Sequence, residues 1–127
     1  MNQTIAKVFG FVFILIGVLG FFGSGMHMTT GSEFGLFPVN VVHNVVHILI
    51  GLWGLNAART ANGATAFCKQ AGVLYLLLAV LGFVPAMVEM LANLVPIGGN
   101  DRYLHLVFAV ILLYFGIAGN SREAAAA

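Results

Sequence analysis

Asn40, His43, Asn44 and His47 occur at i, i+3, i+4 and i+7, which on an α-helix is a single face. Two imidazoles one turn apart on one helix can grip the same metal ion. Farther along, Asp101 and His105 repeat the i, i+4 spacing, with Asn100 just before them, and Glu89 stands alone between the two groups. His105 from a facing helix, with Asp101 or Glu89, would complete a tetrahedral sphere of three imidazoles and one carboxylate, a donor set suited to zinc. Met26, Met28, Met87 and Met90 are expected at the same level, and His27 lies between the first two. Soft thioethers beside imidazoles favour copper(I), although methionine also fills gaps in helix seams. Haem between two histidines is a further option, but it needs imidazoles deeper than Asn40 and Asp101 suggest.

Each of these residues also has a plainer role. Asn40 and Asn100 are placed to cap helix N-termini, and Asp101 in a first turn is favoured by the helix dipole. His27 reads equally as a loop residue near lipid headgroups. A single interior histidine is commonly just hydrogen-bonded. The combination is what suggests a shared site, because the whole chain has only five Lys and Arg and four Asp and Glu residues.

The elements that must position these groups follow from composition. With 61% hydrophobic residues, 7% charged residues and a mean hydropathy of +1.03, there is too little polar surface to cover a water-soluble globule. Four apolar runs approach the ~17–25 residues of a spanning helix: Ile5 to Phe22, Val41 to Ala58, Gly72 to Met90 and Leu104 to Ile117. The expected architecture is an all-α integral membrane four-helix bundle forming one domain over residues 1–123, with the alanines at 124–127 a tail or cloning remnant. Pro85 should kink or loosen the third helix one turn before Glu89. Lys7 and the small residues Gly23-Ser24-Gly25 would also fit a secretory signal. The lone Cys68 excludes an intramolecular disulfide and says nothing of redox compartment.

The chain also repeats itself. Shifted by 62 residues, Lys7–Phe22 aligns without a gap on Lys69–Val84, with seven of sixteen pairs identical. The same shift pairs His43 with His105, Met28 with Met90, His27 with Glu89 and Gly54 with Gly116. Two related helical hairpins, about 5–58 and 69–119, are therefore expected to run in parallel, with the site between them. A removable signal has no reason to match an internal span, so the repeat argues for a retained first helix. Gly10, Gly17 and Gly20 recur as Gly72, Ala79 and Gly82, a stripe along which helix backbones can approach closely. Lys7, Arg59, Lys69 and Arg122 fall on one side of the expected spans and only Arg102 on the other. The positive-inside bias then puts both termini in the cytoplasm and the histidines near the outer surface.

Gly35–Leu55 and Leu94–Leu113, with the motifs N-x-x-H-N-x-x-H and N-D-x-x-x-H, resemble the signature stretches of a bacterial family of small four-span membrane proteins, domain of unknown function family 4383. The resemblance implies a multi-pass protein of the bacterial plasma membrane. It implies Asn40, His43, Asn44, His47, Asn100, Asp101 and His105 as hallmark positions, implies no activity, and extends no role to Met26, His27 or Met28. Three classes of function remain: a metal or small-ligand binding protein, a cofactor-free scaffold or transport accessory, and a metal-dependent membrane enzyme. No nucleophile motif or phosphate loop identifies a reaction, so the reading leans away from an enzyme. The expected partners are the lipid bilayer and a second copy of the chain or another protein, and nothing suggests nucleic acid.

Overall fold

The computed structural model describes residues 1–24 and 31–126, so His27 and Met28 lie outside the described residues. The described chain is helical apart from one small β-hairpin. Helix α1 spans Asn2–Ser24, strands β1 and β2 are Gly31–Glu33 and Phe37–Val39, and helix α2 is Val41–Ala57. Helix α3 covers Ala61–Gly82, the short α4 is Pro85–Leu91, and α5 is Asp101–Ala126. Among the described residues, three helical stretches are long and apolar enough to cross a membrane: Asn2–Gly23, Ala61–Gly82 and Asp101–Gly119. At 17 residues, α2 sits at the short end of that range.

Local chemistry sets the boundaries. Asn40 is extended (φ −145°, ψ 179°) and accepts a hydrogen bond from the His43 amide at 2.9 Å, which starts α2. Thr60 does the same for α3, accepting from the Gly63 amide at 3.0 Å. The third helix lies earlier than the apolar run indicated. It begins at Ala61 rather than near Gly72 and stops at Gly82 rather than continuing to Met90. Val84 is extended because a residue before proline is pushed out of the helical region, and Pro85 then restarts the chain as the first residue of α4. The break is complete where the sequence suggested only a kink.

Helix α1 packs chiefly on α2, and α3 chiefly on α5, with α1 and α3 in lesser contact between the two pairs. Small residues allow this closeness. A Cβ at Gly10 would meet the Gly51 carbonyl and Leu55, and one at Gly72 would meet Leu113, which lies 62 residues beyond Gly51. Between the pairs is a seam of Phe9, Phe13, Phe67, Tyr75, Phe108 and Leu112, with Ala6, Ala71 and Ala109. The outside is equally apolar. Phe11, Leu15, Phe22, Leu49, Val80 and Val110 are all exposed, which in water would be a large aggregation-prone surface and in a bilayer is a lipid-facing one.

Candidate metal centre

The α2 face carrying Asn40, His43, Asn44 and His47 points inward. All four residues are at most 4% exposed, whereas Val45, Val46 and Leu49 on the other faces are exposed. Asn40 is tied in twice: besides capping α2, its Nδ2 donates to the Leu94 carbonyl at 3.0 Å, fixing the 92–100 connection against α2. Asn44 lies where α1 has no side chain. A Cβ at Gly20 would collide with Asn44 Oδ1, so this glycine is what lets the amide sit beside His43.

From the other pair of helices, α5 contributes Asp101 in its first turn and His105 one turn later, 2% and 3% exposed. One ring nitrogen from each of His43, His47 and His105 falls within 4.8 Å of the others. The His43 and His47 ring centroids are 4.4 Å apart, and those of His47 and His105 are 6.5 Å apart. Three nitrogens on a tetrahedral ion at 2.0–2.1 Å would be separated by about 3.4 Å, so the observed spacing is of the order that could hold a metal ion. His43 Nδ1 is 3.5 Å from Asn44 Oδ1, and its Nε2 is 3.6 Å from Asp101 Oδ2. His47 Nδ1 and His105 Nδ1 are buried with no hydrogen-bond partner among the described residues. A buried imidazole that leaves a nitrogen unsatisfied loses the solvation of that group, so two in one place need a reason.

Beneath the imidazoles is an aromatic floor. Phe13 stacks on Tyr75 with centroids 5.0 Å apart, and Phe108 meets both edge-on at 5.3 and 5.6 Å. His47 rests on Phe13 at 5.8 Å, and Tyr75 lies 5.3 Å from His105. The Tyr75 hydroxyl is itself buried without a hydrogen-bond partner among the described residues. Tyr75 is the site-lining residue that the sequence reading missed. Its signal was available, since it stands 62 residues after Phe13 and replaces a purely apolar ring with one carrying a polar tip. Above the imidazoles, a cavity of about 110 Å³ is lined by Asp101, Ile16 and Leu104 and by Phe34 and Phe37 of the β-hairpin.

Several of the expected site residues lie outside the imidazole group. Glu89 is exposed on α4, outside the imidazole group, because the break at Pro85 carries that segment away from the α3 axis. Met90 is 64% exposed on the same short helix. Asn100 is exposed and donates from Nδ2 to the Leu36 carbonyl at 2.9 Å, tying the start of α5 to the turn of the β-hairpin. Asp101 lies against His43, with Oδ2 3.6 Å from Nε2, beside the group formed by the three imidazoles.

Residues 3–118 match the family described as Domain of unknown function (DUF4383), and the chain belongs to that family. No curated protein and no solved structure matches the chain.

Proposed function

We propose that this protein is a bilayer-spanning four-helix bundle of two related helical hairpins, α1–α2 and α3–α5, that holds one transition-metal ion between them on His43, His47 and His105. The observation that carries the reading is the convergence of three buried imidazoles, two of which leave Nδ1 without a hydrogen-bond partner among the described residues. In hydrocarbon such groups are costly, and a cation that takes up their lone pairs removes the cost. Three nitrogen donors leave a fourth position open, the arrangement of a zinc site that binds a small ligand rather than a closed structural site. With the metal on His43 Nδ1, in place of the long 3.5 Å contact to Asn44, Asp101 at Nε2 takes the part of the carboxylate that orients a metal-bound imidazole and raises its basicity. Zinc suits this donor set. Copper(I) loses support with Met90 facing away, although copper(II) remains compatible with imidazole nitrogen.

Both termini are cytoplasmic in this reading and the metal lies near the outer surface, since the histidines occupy the first two turns of α2 and α5, opposite the end that carries Lys7, Arg59 and Lys69. The aromatic floor separates the site from that inner end, so access is from outside or from the lipid. A cofactor-free network is the second reading, favoured by the bonds from Asn40 to Leu94 and from Asn100 to Leu36, which stitch connections together without any ion. An activity on a lipid or water at the open metal position is the third. Elemental analysis of detergent-purified protein tests the proposal directly. One equivalent of zinc or copper per chain, with a rise in thermal stability on adding that metal to stripped protein, is the expected result. Metal-free protein that gains nothing from either ion leaves the structural network in possession.

A further inference from the structure

The three imidazoles line two spaces at once. On one side is the cavity under the β-hairpin, which contains Asp101. On the other is a cleft of about 290 Å³ between α2 and α3, walled by Val42, Val46, Ile50, Leu74, Leu78 and Ile97. It exists because α2 and α3, although joined by a three-residue turn, pack chiefly against α1 and α5 and only lightly against each other. Val46 and Leu74 on its rim are exposed, so the cleft opens sideways onto the surface that faces lipid. The lining residues with polar side chains are the three histidines and Tyr75, and none of the described residues that line it is acidic.

From this we infer that the site takes a long-chain carboxylate from the bilayer, with the hydrocarbon chain in the α2–α3 cleft and the carboxylate on the metal at its open position. The inference rests on the metal reading above and adds the ligand class. A wall made only of aliphatic side chains gives an alkyl chain dispersion contacts and asks for no hydrogen bonds. At the closed end sit neutral nitrogen donors, an added cation and a phenol that can donate, all of which welcome an anion. Asp101, which would repel one, lies on the opposite side of the imidazoles. Lateral entry also matches where a fatty-acid chain already resides, so the chain need never cross water to reach the ion.

Cobalt(II) reports on such a site because its visible absorption changes when a fourth ligand is exchanged. Full-length protein, stripped and loaded with cobalt in a non-ionic detergent, is titrated with dodecanoate, dodecanol and acetate. The expected result is that dodecanoate changes the spectrum, dodecanol does not, and acetate does so only at much higher concentration. Val46→Trp and Leu74→Trp, each filling the cleft from one wall, should shift the dodecanoate response about tenfold to higher concentration, the loss expected from excluding roughly two methylenes. The initial cobalt spectrum and the acetate response should stay as they are. Both proteins see the same dodecanoate in the micelle, so the difference isolates the cleft from simple partitioning. A dodecanoate response unmoved by both tryptophan variants, or a dodecanol response equal to it, overturns the inference while leaving the metal site standing. Absence of any cobalt spectrum removes the metal reading and this inference together.

Discussion

The α1–α2 and α3–α5 pairs use similar backbone contacts and carry different chemistry. Gly54 packs near the Ala6 carbonyl as Gly116 packs near Cys68, and both pairs are related by the same 62-residue shift. Phe13 and Tyr75, also 62 apart, stack face to face in the seam. At the polar end the correspondence stops. His43 answers to His105, but His47 answers to buried Ala109, Asn44 to Leu106, and Asn40 to Arg102, whose guanidinium sits 5.0 Å from the Phe83 ring and 5.1 Å from Tyr103. The α1–α2 pair therefore brings two imidazoles and two amides to the cluster, His43 and His47 with Asn40 and Asn44. The other supplies one imidazole, a carboxylate and a phenol. The comparison teaches that equal scaffolds can enclose an unequal site, which orients whatever it holds toward one hairpin.

Removing one of the two α2 imidazoles should break that asymmetry most severely. His47→Ala leaves two of the three converging imidazoles, and stoichiometric metal should be lost, with affinity down by about a thousandfold or more on zinc titration, well beyond the about 10–100-fold typical of an outer-shell change. Retention of metal by this variant would place the ion elsewhere. Asp101→Asn keeps the shape and removes the charge beside His43, and should weaken zinc by that about 10–100-fold. An unchanged affinity would make Asp101 a cap and nothing more.

The two glycines at equivalent positions separate packing from ligation. Gly20→Ala pushes a methyl into the Asn44 amide, and Gly82→Ala pushes one toward the Ile97 carbonyl and Arg102. Each should cost about 1–3 kcal/mol in unfolding experiments as overpacked sites do. Only Gly20→Ala should also weaken metal binding, because only it displaces a neighbour of His43. Equal metal affinity in the two would show that Asn44 does not position the site. Asn44→Ala itself should be the mildest of the set, weakening zinc by a few-fold, about 0.5–1.5 kcal/mol for one long hydrogen bond.

Acid should act on all of these in one direction. Ligation requires neutral imidazoles, so protons compete with metal and affinity falls as pH drops through the histidine titration range, with full binding above it. An isothermal titration series that shows no pH dependence would exclude imidazole ligands. The orientation is tested in a Cys68→Ala background, where Ser32→Cys should label from outside intact cells and Asn62→Cys should not. The reverse pattern would move the site to the cytoplasmic side.

Much of this molecule is legible in the residues themselves. Apolar runs of spanning length pointed to helices, the conformation in which a backbone withdrawn from water satisfies its own hydrogen bonds. The i, i+3, i+4, i+7 spacing put Asn40, His43, Asn44 and His47 on one face, and the cost of facing them to lipid turned that face inward. The Asn40 cap also followed from residue type and position. Periodicity, however, specifies a face of one helix and neither its rotation against a neighbour nor its depth. That His105 reaches the α2 pair while Glu89 does not depends on where α3 ends, and a proline's effect ranges from kink to full break according to what the freed backbone can pack against. The Phe13–Tyr75 stack, the contact of Asp101 with His43 and the lateral cleft between α2 and α3 arise only when two hairpins are docked, since each is a relation between residues that no single helix contains.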